Sequence, residues 1–336
     1  MSPNKIYHTL LFLLLTLSLG CTGISQNNTP KVNGVNLVSP PQPVSQHNVA
    51  TVKQINANWI SVIPYAFIKN GDPKVYFNTN FQWWGERVKG TEQLIQFSKN
   101  EDLQVMLKPH IWVQKDGWAG DFDLNSEGDW EIFEESYTDY IMAFAEIAQQ
   151  QNTSLLCIGT ELRNVVKNRP EFWKSLIQQI RTVYTGKLTY AANWDNYENV
   201  TFWKELDYIG IDAYFPLNKE KTPVVTDLKT NWLPIKNKLK DFSKSNRKPI
   251  LFTEYGYKSC DYTAAGHWNT DNSEIFNAEA QSNAYEALYQ TFWNQNWFAG
   301  GFLWKWFLTT DQIQPKNTRF TPQKKPVIHI ISRNYK

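Results

Sequence analysis

Leu155-Leu156-Cys157-Ile158-Gly159 is a short apolar run that ends in Thr160-Glu161, and it stands between two patterns of a different period. Upstream, Trp130 to Gln149 repeats its apolar residues at helical spacing, with acids at Asp129, Glu131 and Glu134 where a helix N-terminus prefers them. Downstream, Pro170 to Val183 is a second helical pattern with proline near its first turn, and it leads into another β-rich run, Leu188 to Ala192. A strand, a helix and the next strand in this order form the repeating unit of a parallel sheet.

The same alternation extends in both directions. Before it come Val32 to Val38, Trp59 to Phe67 and Gln104 to Val113, the last preceded by the amphipathic stretch Thr91 to Lys99. After it come Tyr208 to Tyr214, then Pro249 to Thr253 behind the helical pattern Asp227 to Ser243, then Gly301 to Phe307 behind Ala278 to Trp293. Eight such units predict a single (β/α)8 barrel, the TIM-barrel architecture, over residues 31–336. An open doubly wound sheet would carry a glycine-rich nucleotide loop after its first strand, and Asn36-Leu37-Val38-Ser39-Pro40 is not one.

Composition narrows the function. The 336 residues carry 34 basic and 32 acidic side chains, a net charge of +2 with no basic run, which argues against nucleic acid as a partner. Fifteen Trp, 16 Tyr and 19 Phe make aromatic content 15%, useful for stacking on sugar rings and equally for filling a core. The five histidines (8, 47, 110, 267 and 329) show no metal spacing, and Asp121 to Glu127 lacks the glycine and the final glutamate of a calcium loop, so neither metal nor cofactor is expected.

The first 20 residues form a signal-peptide pattern: Lys5 and His8, then the apolar run Leu10 to Leu15, then Leu17-Ser18-Leu19-Gly20-Cys21. That last segment resembles a lipoprotein box with Ser18 in place of its usual Leu, so Cys21 is the expected lipidation site; ordinary cleavage is the alternative. Residues 21–30 follow as a polar tether. The expectation is an exported monomer, anchored to a membrane through lipid alone, or else periplasmic or secreted. Cys157 and Cys260 do not indicate a disulfide framework.

Barrel chemistry sits at the C-terminal ends of strands, where two apolar runs each close on a glutamate: Gly159-Thr160-Glu161 and Phe252-Thr253-Glu254. Two carboxyls converging on one ligand suit glycosidic cleavage, one to protonate the departing oxygen and one to attack the anomeric carbon. The competing reading pairs each glutamate with a Lys or Arg at a strand end. Other strand ends supply Lys108, His110 and Trp112 (one face of a continuous strand by period two), Asn193-Trp194-Asp195, Tyr214 and Trp304. Trp118 and Trp268 fall in mouth loops, as platforms or as barrel caps.

From its first strand to its C-terminus the chain resembles glycoside hydrolase family 113, a clan-A (β/α)8 family known chiefly for β-1,4-mannanases. The resemblance is carried by Leu107-Lys108-Pro109-His110, Ile158-Gly159-Thr160-Glu161-Leu162, Ala192-Asn193-Trp194, Ile209-Gly210-Ile211-Asp212-Ala213-Tyr214, Phe252-Thr253-Glu254-Tyr255-Gly256 and Gly301-Phe302-Leu303-Trp304-Lys305-Trp306, with Thr321 to Pro326 as a closing loop. It implies Glu161 as general acid/base and Glu254 as nucleophile of a retaining hydrolase. It also places His110, Asn193, Tyr214 and Trp304 around a sugar of a mannan-type polysaccharide or oligosaccharide; Lys108, from the strand-end reading, joins them as a substrate-binding candidate. Many clan-A enzymes have Asn before the acid/base, where this chain has Thr160. Two other functions fit the same residues: a hydrolase of another β-glycan, including an exo-acting one, and a surface glycan-binding protein without turnover.

Overall fold

The computed structural model describes residues 30–69, 71–114, 118–266, 274–311 and 313–336. The signal peptide, Cys21, all of the tether except Pro30, and the candidate platform Trp268 lie outside the described residues. Lys31–Lys336 forms one compact unit.

In chain order the strands are β1 (Val32–Leu37), β2 (Trp59–Val62), β3 (Tyr65–Ile68), β4 (Val75–Tyr76), β5 (Gln104–Leu107), β6 (His110–Val113), β7 (Leu155–Thr160), β8 (Lys187–Asn193), β9 (Ile209–Asp212), β10 (Ile250–Tyr255) and β11 (Phe298–Trp306). Eight of them close into a parallel barrel in the order β1-β11-β10-β9-β8-β7-β5-β2, with β2 pairing back onto β1. The helices are α1 (Gln46–Ala50), α2 (Val88–Asn100), α3 (Glu127–Gln150), α4 (Arg163–Asn168), α5 (Pro170–Val183), α6 (Val225–Asn246), α7 (Ala278–Phe292) and α8 (Val327–Asn334). The (β/α)8 expectation holds. The unit between β8 and β9 departs from it, having only the single turns Tyr197–Asn199 and Trp203–Glu205 in place of a helix.

The second and third expected strands need correction. Each is two strands, broken at Pro64 and at Pro109, because proline has no N–H to give the ladder. Below each proline the chain belongs to the barrel. Above it the chain leaves, and β3 pairs in parallel with β6 while β4 runs antiparallel to β3, making a small sheet apart from the barrel. The His110 amide bonds to Pro64 O at 3.1 Å and so ties the two breaks together. Lys108, His110 and Trp112 therefore do not share a face of one continuous strand. Helix α3 also starts earlier than its apolar pattern, because the Ser126 hydroxyl accepts from the Asp129 amide and caps it.

Inside the barrel, Val32, Met106, Leu155, Cys157, Ala191, Leu251 and Phe302 form a separate apolar cluster. Their neighbours along the strands, such as Leu107, Leu156, Ile158 and Phe252, belong to the larger core cluster that includes the helices, as period-two alternation demands. Gly34 on β1 is needed here, since a Cβ at that position would lie 2.3 Å from the Phe302 ring.

Much of the aromatic content is structural. Trp173, Trp203, Trp232 and Trp306 are fully buried, and Trp173 contacts Tyr137, Tyr190 and Phe202 at ring-centroid distances of 5.2 to 5.7 Å. Cys157 and Cys260 are free and buried. Among the described residues no helix is long and apolar enough to cross a membrane.

Candidate active site

The carboxyl ends of β5, β7, β9 and β10 meet in one cluster. Glu254 lies within β10, where the register against β9 slips between Phe252 and Glu254 and sets Glu254 beside Asp212. A slip of this kind re-aims a side chain at a strand end. Glu161 follows β7 with a left-handed backbone at φ 54°, while its amide donates to Ala191 O at 2.8 Å. For a non-glycine residue that conformation costs about 1–3 kcal/mol, and such outliers concentrate where a side chain must be aimed.

Beneath Glu254 sits Lys108, the first residue beyond β5, with no exposed surface. Its ammonium donates to Glu254 Oε1 and lies 3.4 Å from Asp212 Oδ1. Tyr214 donates its hydroxyl to Glu254 Oε2 at 2.7 Å. Burial alone would raise the Glu254 pKa, but the Lys108 charge and the hydrogen bonds from Lys108 and Tyr214 outweigh it and hold the carboxyl below its ordinary value. Glu254 is a buried carboxylate with donors on both oxygens.

Glu161 is treated in the opposite way. No cation pairs with it among the described residues; the Trp118 indole donates to its Oε2 at 2.5 Å. Burial first, and then the negative charge of Glu254, push its pKa up to about 7, against a smaller downward pull from Trp118. The competing reading of the sequence is thus realised at one glutamate and not at the other.

Both glutamates open onto one cavity of 780 Å³, lined by His110, Trp112, Trp118, Asn193, Trp194, Asp195, Tyr214, Trp304 and Phe320 among others. His110 stacks on Tyr65 at 5.2 Å, and burial followed by the charge of Lys108 lowers its pKa to about 4, so its imidazole is neutral. The Asn193 amide donates to Asp195 Oδ1 at 3.0 Å. Of the residues expected at a sugar, His110, Asn193, Tyr214 and Trp304 line the cavity. Lys108 does not: it stands behind Glu254, with its ammonium already engaged.

Three features escaped the sequence reading. Asp212 is fully buried, takes the Thr253 hydroxyl on Oδ1 at 2.7 Å and leaves Oδ2 without a hydrogen-bond partner among the described residues. Its signal was present, because Ile209-Gly210-Ile211-Asp212 closes on an acid just as the two glutamate strands do. Trp118 is a donor to Glu161, beyond any role as a platform. Asp195 engages the amide of Asn193. Among the described residues no group of His, Cys, Asp or Glu is arranged to hold a metal ion.

Fold and site together define a (β/α)8 enzyme with two unlike carboxyls in an aromatic-lined cavity. The profile of Glycoside Hydrolase Family 113 matches residues 41–325, and the chain belongs to that family: it is a glycoside hydrolase. A GH113 β-mannanase from Alicyclobacillus acidocaldarius, AaManA in complex with ManMIm, superposes with a TM-score of 0.79 at 20% identity, over 92% of this chain and 98% of that one. A second GH113 β-1,4-mannanase complex gives 0.78 at 22% identity, over 91% and 99%. A β-glucuronidase from Faecalibacterium prausnitzii gives 0.61 at 15% identity, over 91% of this chain and 49% of its own. No curated protein matches the chain.

Proposed function

We propose that the protein is a retaining β-mannanase in which Glu254 is the nucleophile and Glu161 the general acid/base. The observation that carries this reading is the opposite treatment of two carboxyls in one cavity. A nucleophile must be ionised, and Lys108 and Tyr214 hold Glu254 so. A general acid must begin protonated, and burial raises Glu161 to about 7. In the first step a Glu254 oxygen bonds to the anomeric carbon while the glycosidic C–O bond breaks, and the departing oxygen takes the Glu161 proton. In the second step Glu161, now a carboxylate, takes a proton from water; the water oxygen bonds to the anomeric carbon and Glu254 leaves as a carboxylate.

Mannan as substrate is supported by the family and by the mannanases with which the barrel superposes. The neutral His110, the Asn193 amide and the ring of Trp304 suit an uncharged sugar. Export with lipid on Cys21 belongs to the same reading, carried by the signal-peptide pattern of the first 20 residues. The test is incubation of residues 22–336 with β-mannan, glucomannan, xylan and β-glucan, wild type beside Glu254→Ala. Oligosaccharides from mannan with wild type alone are expected. Release from another glycan only would overturn the mannanase assignment, and full activity in Glu254→Ala would overturn the role of Glu254.

A further inference from the structure

Lys108 is a fully buried cation with two carboxyl partners among the described residues, Glu254 and Asp212. Under the retaining reading proposed above, one of those partners is consumed in every cycle. When Glu254 becomes an ester its charge is gone, and the ammonium faces Asp212 alone. A buried charge left without a counter-charge is strongly disfavoured, and a lysine in that position gives up its proton. Yet the second step needs that charge, because Glu254 must leave as a carboxylate and its Oε1 is the atom that Lys108 bonds.

We propose that Asp212 is the positioning residue of the second step: it keeps Lys108 charged and in place while Glu254 is esterified, ready to receive the departing carboxylate. The geometry fits a carboxyl that changes its protonation through the cycle. Asp212 is fully buried, and among the described residues Thr253 is its one hydrogen-bonding hydroxyl and Oδ2 has no partner, an environment poor in donors for a permanent anion. In the resting site, burial and the charge of Glu254 hold the Asp212 carboxyl far above its ordinary value, against the pull of Lys108. Esterification removes the Glu254 charge, Asp212 releases its proton to water, and it takes one back when the carboxylate of Glu254 returns. The three groups then sum to zero charge in both states: ammonium, carboxylate and acid at rest, and ammonium, ester and carboxylate in the intermediate. The other titratable groups facing Asp212 are Glu161 and Cys157 from the β7 side, Tyr190 on β8 and Tyr214 beyond β9.

The test is Asp212→Asn in the full barrel, assayed on a nitrophenyl β-glycoside of whichever sugar the polysaccharide comparison identifies. Asparagine mimics the resting acid but cannot ionise. The first step should persist, with kcat/KM within about threefold of wild type, while kcat falls at least tenfold and KM falls with it. A burst of one equivalent of nitrophenol should precede the slow steady state. A fall in kcat/KM equal to that in kcat, with no burst, overturns the proposal. Thr253→Val, which removes only the hydroxyl on Asp212, should give the same split more weakly. It carries the test if Asp212→Asn does not fold, and an unchanged KM beside a lowered kcat in it would count against the idea. The anomer of the first wild-type product, read by NMR, separates the two levels. Inversion removes the retaining reading and this inference together; retention without the kinetic split removes this inference alone.

Discussion

Trp118→Phe removes one hydrogen-bond donor from Glu161 and keeps an aromatic face in the cavity. The indole N–H stands 2.5 Å from Oε2, and it favours the ionised carboxyl over the protonated one. A hydrogen bond to a charged group contributes about 1.5–3 kcal/mol and one between neutral groups about 0.5–1.5, so the two protonation states differ by roughly 1–1.5 kcal/mol. At 1.36 kcal/mol per pKa unit that difference is about one unit. Since Trp118 lowers the Glu161 pKa, its loss raises it. The general acid must be protonated in the free enzyme, so activity is lost as pH rises through the Glu161 pKa, about 7 in the intact site. The basic limb of kcat/KM against pH should therefore move up by about one unit in Trp118→Phe, while the acidic limb, set by Glu254, stays in place. The profile is best measured on a soluble oligosaccharide whose leaving group needs protonation. KM is free to change through lost sugar contact without moving either limb. A basic limb that stays put, or moves to lower pH, would refute the assignment of Glu161 as the acid.

Tyr214→Phe takes one donor from Glu254 and leaves it with Lys108 alone on the other oxygen. At about 1.5–3 kcal/mol for a charge-assisted bond, kcat/KM should fall by up to roughly 10- to 150-fold, and the acidic limb should move to higher pH because the carboxylate is held less firmly. Steady-state kinetics across pH reads both; an unshifted acidic limb would contradict the part given to Tyr214. Gly210→Ala tests the barrel itself, since a Cβ there would meet Tyr190 O at 2.2 Å and Thr189 Oγ1 at 2.6 Å. Overpacking of this kind costs about 1–3 kcal/mol, so calorimetry should show a lower Tm, and an unchanged Tm would mean that the strands yield more easily than the geometry implies.

The barrel was legible because its strands are apolar on both faces and its helices begin and end on local signals, such as Pro170 at the start of α5. What escaped was the backbone above the barrel. Pro64 and Pro109 were visible in the sequence, but apolar residues continue past both, and periodicity alone does not show that the chain leaves one sheet for another. Lys108 was misplaced for the same reason: as part of a continuous strand with His110 it would face the sugar, whereas at the break it turns beneath Glu254. The two glutamates stood out because each ends an apolar run, and Asp212 carries the same mark. Its role is not legible there, because Lys108 and Thr253 come from other strands and meet it only on folding. The aromatic residues were the most ambiguous signal. Trp173 and Trp304 look alike in sequence, yet one is core and the other lines the cavity.

The assignment of Glu254 as nucleophile is the point on which the mechanism turns. A 2-deoxy-2-fluoro β-mannoside with a fluoride leaving group should trap the glycosyl-enzyme, and peptide mass spectrometry should find one sugar on the peptide containing Glu254, absent from Glu254→Ala. A sugar on Glu161 or elsewhere, or none while the intact enzyme turns over mannan, would contradict the account.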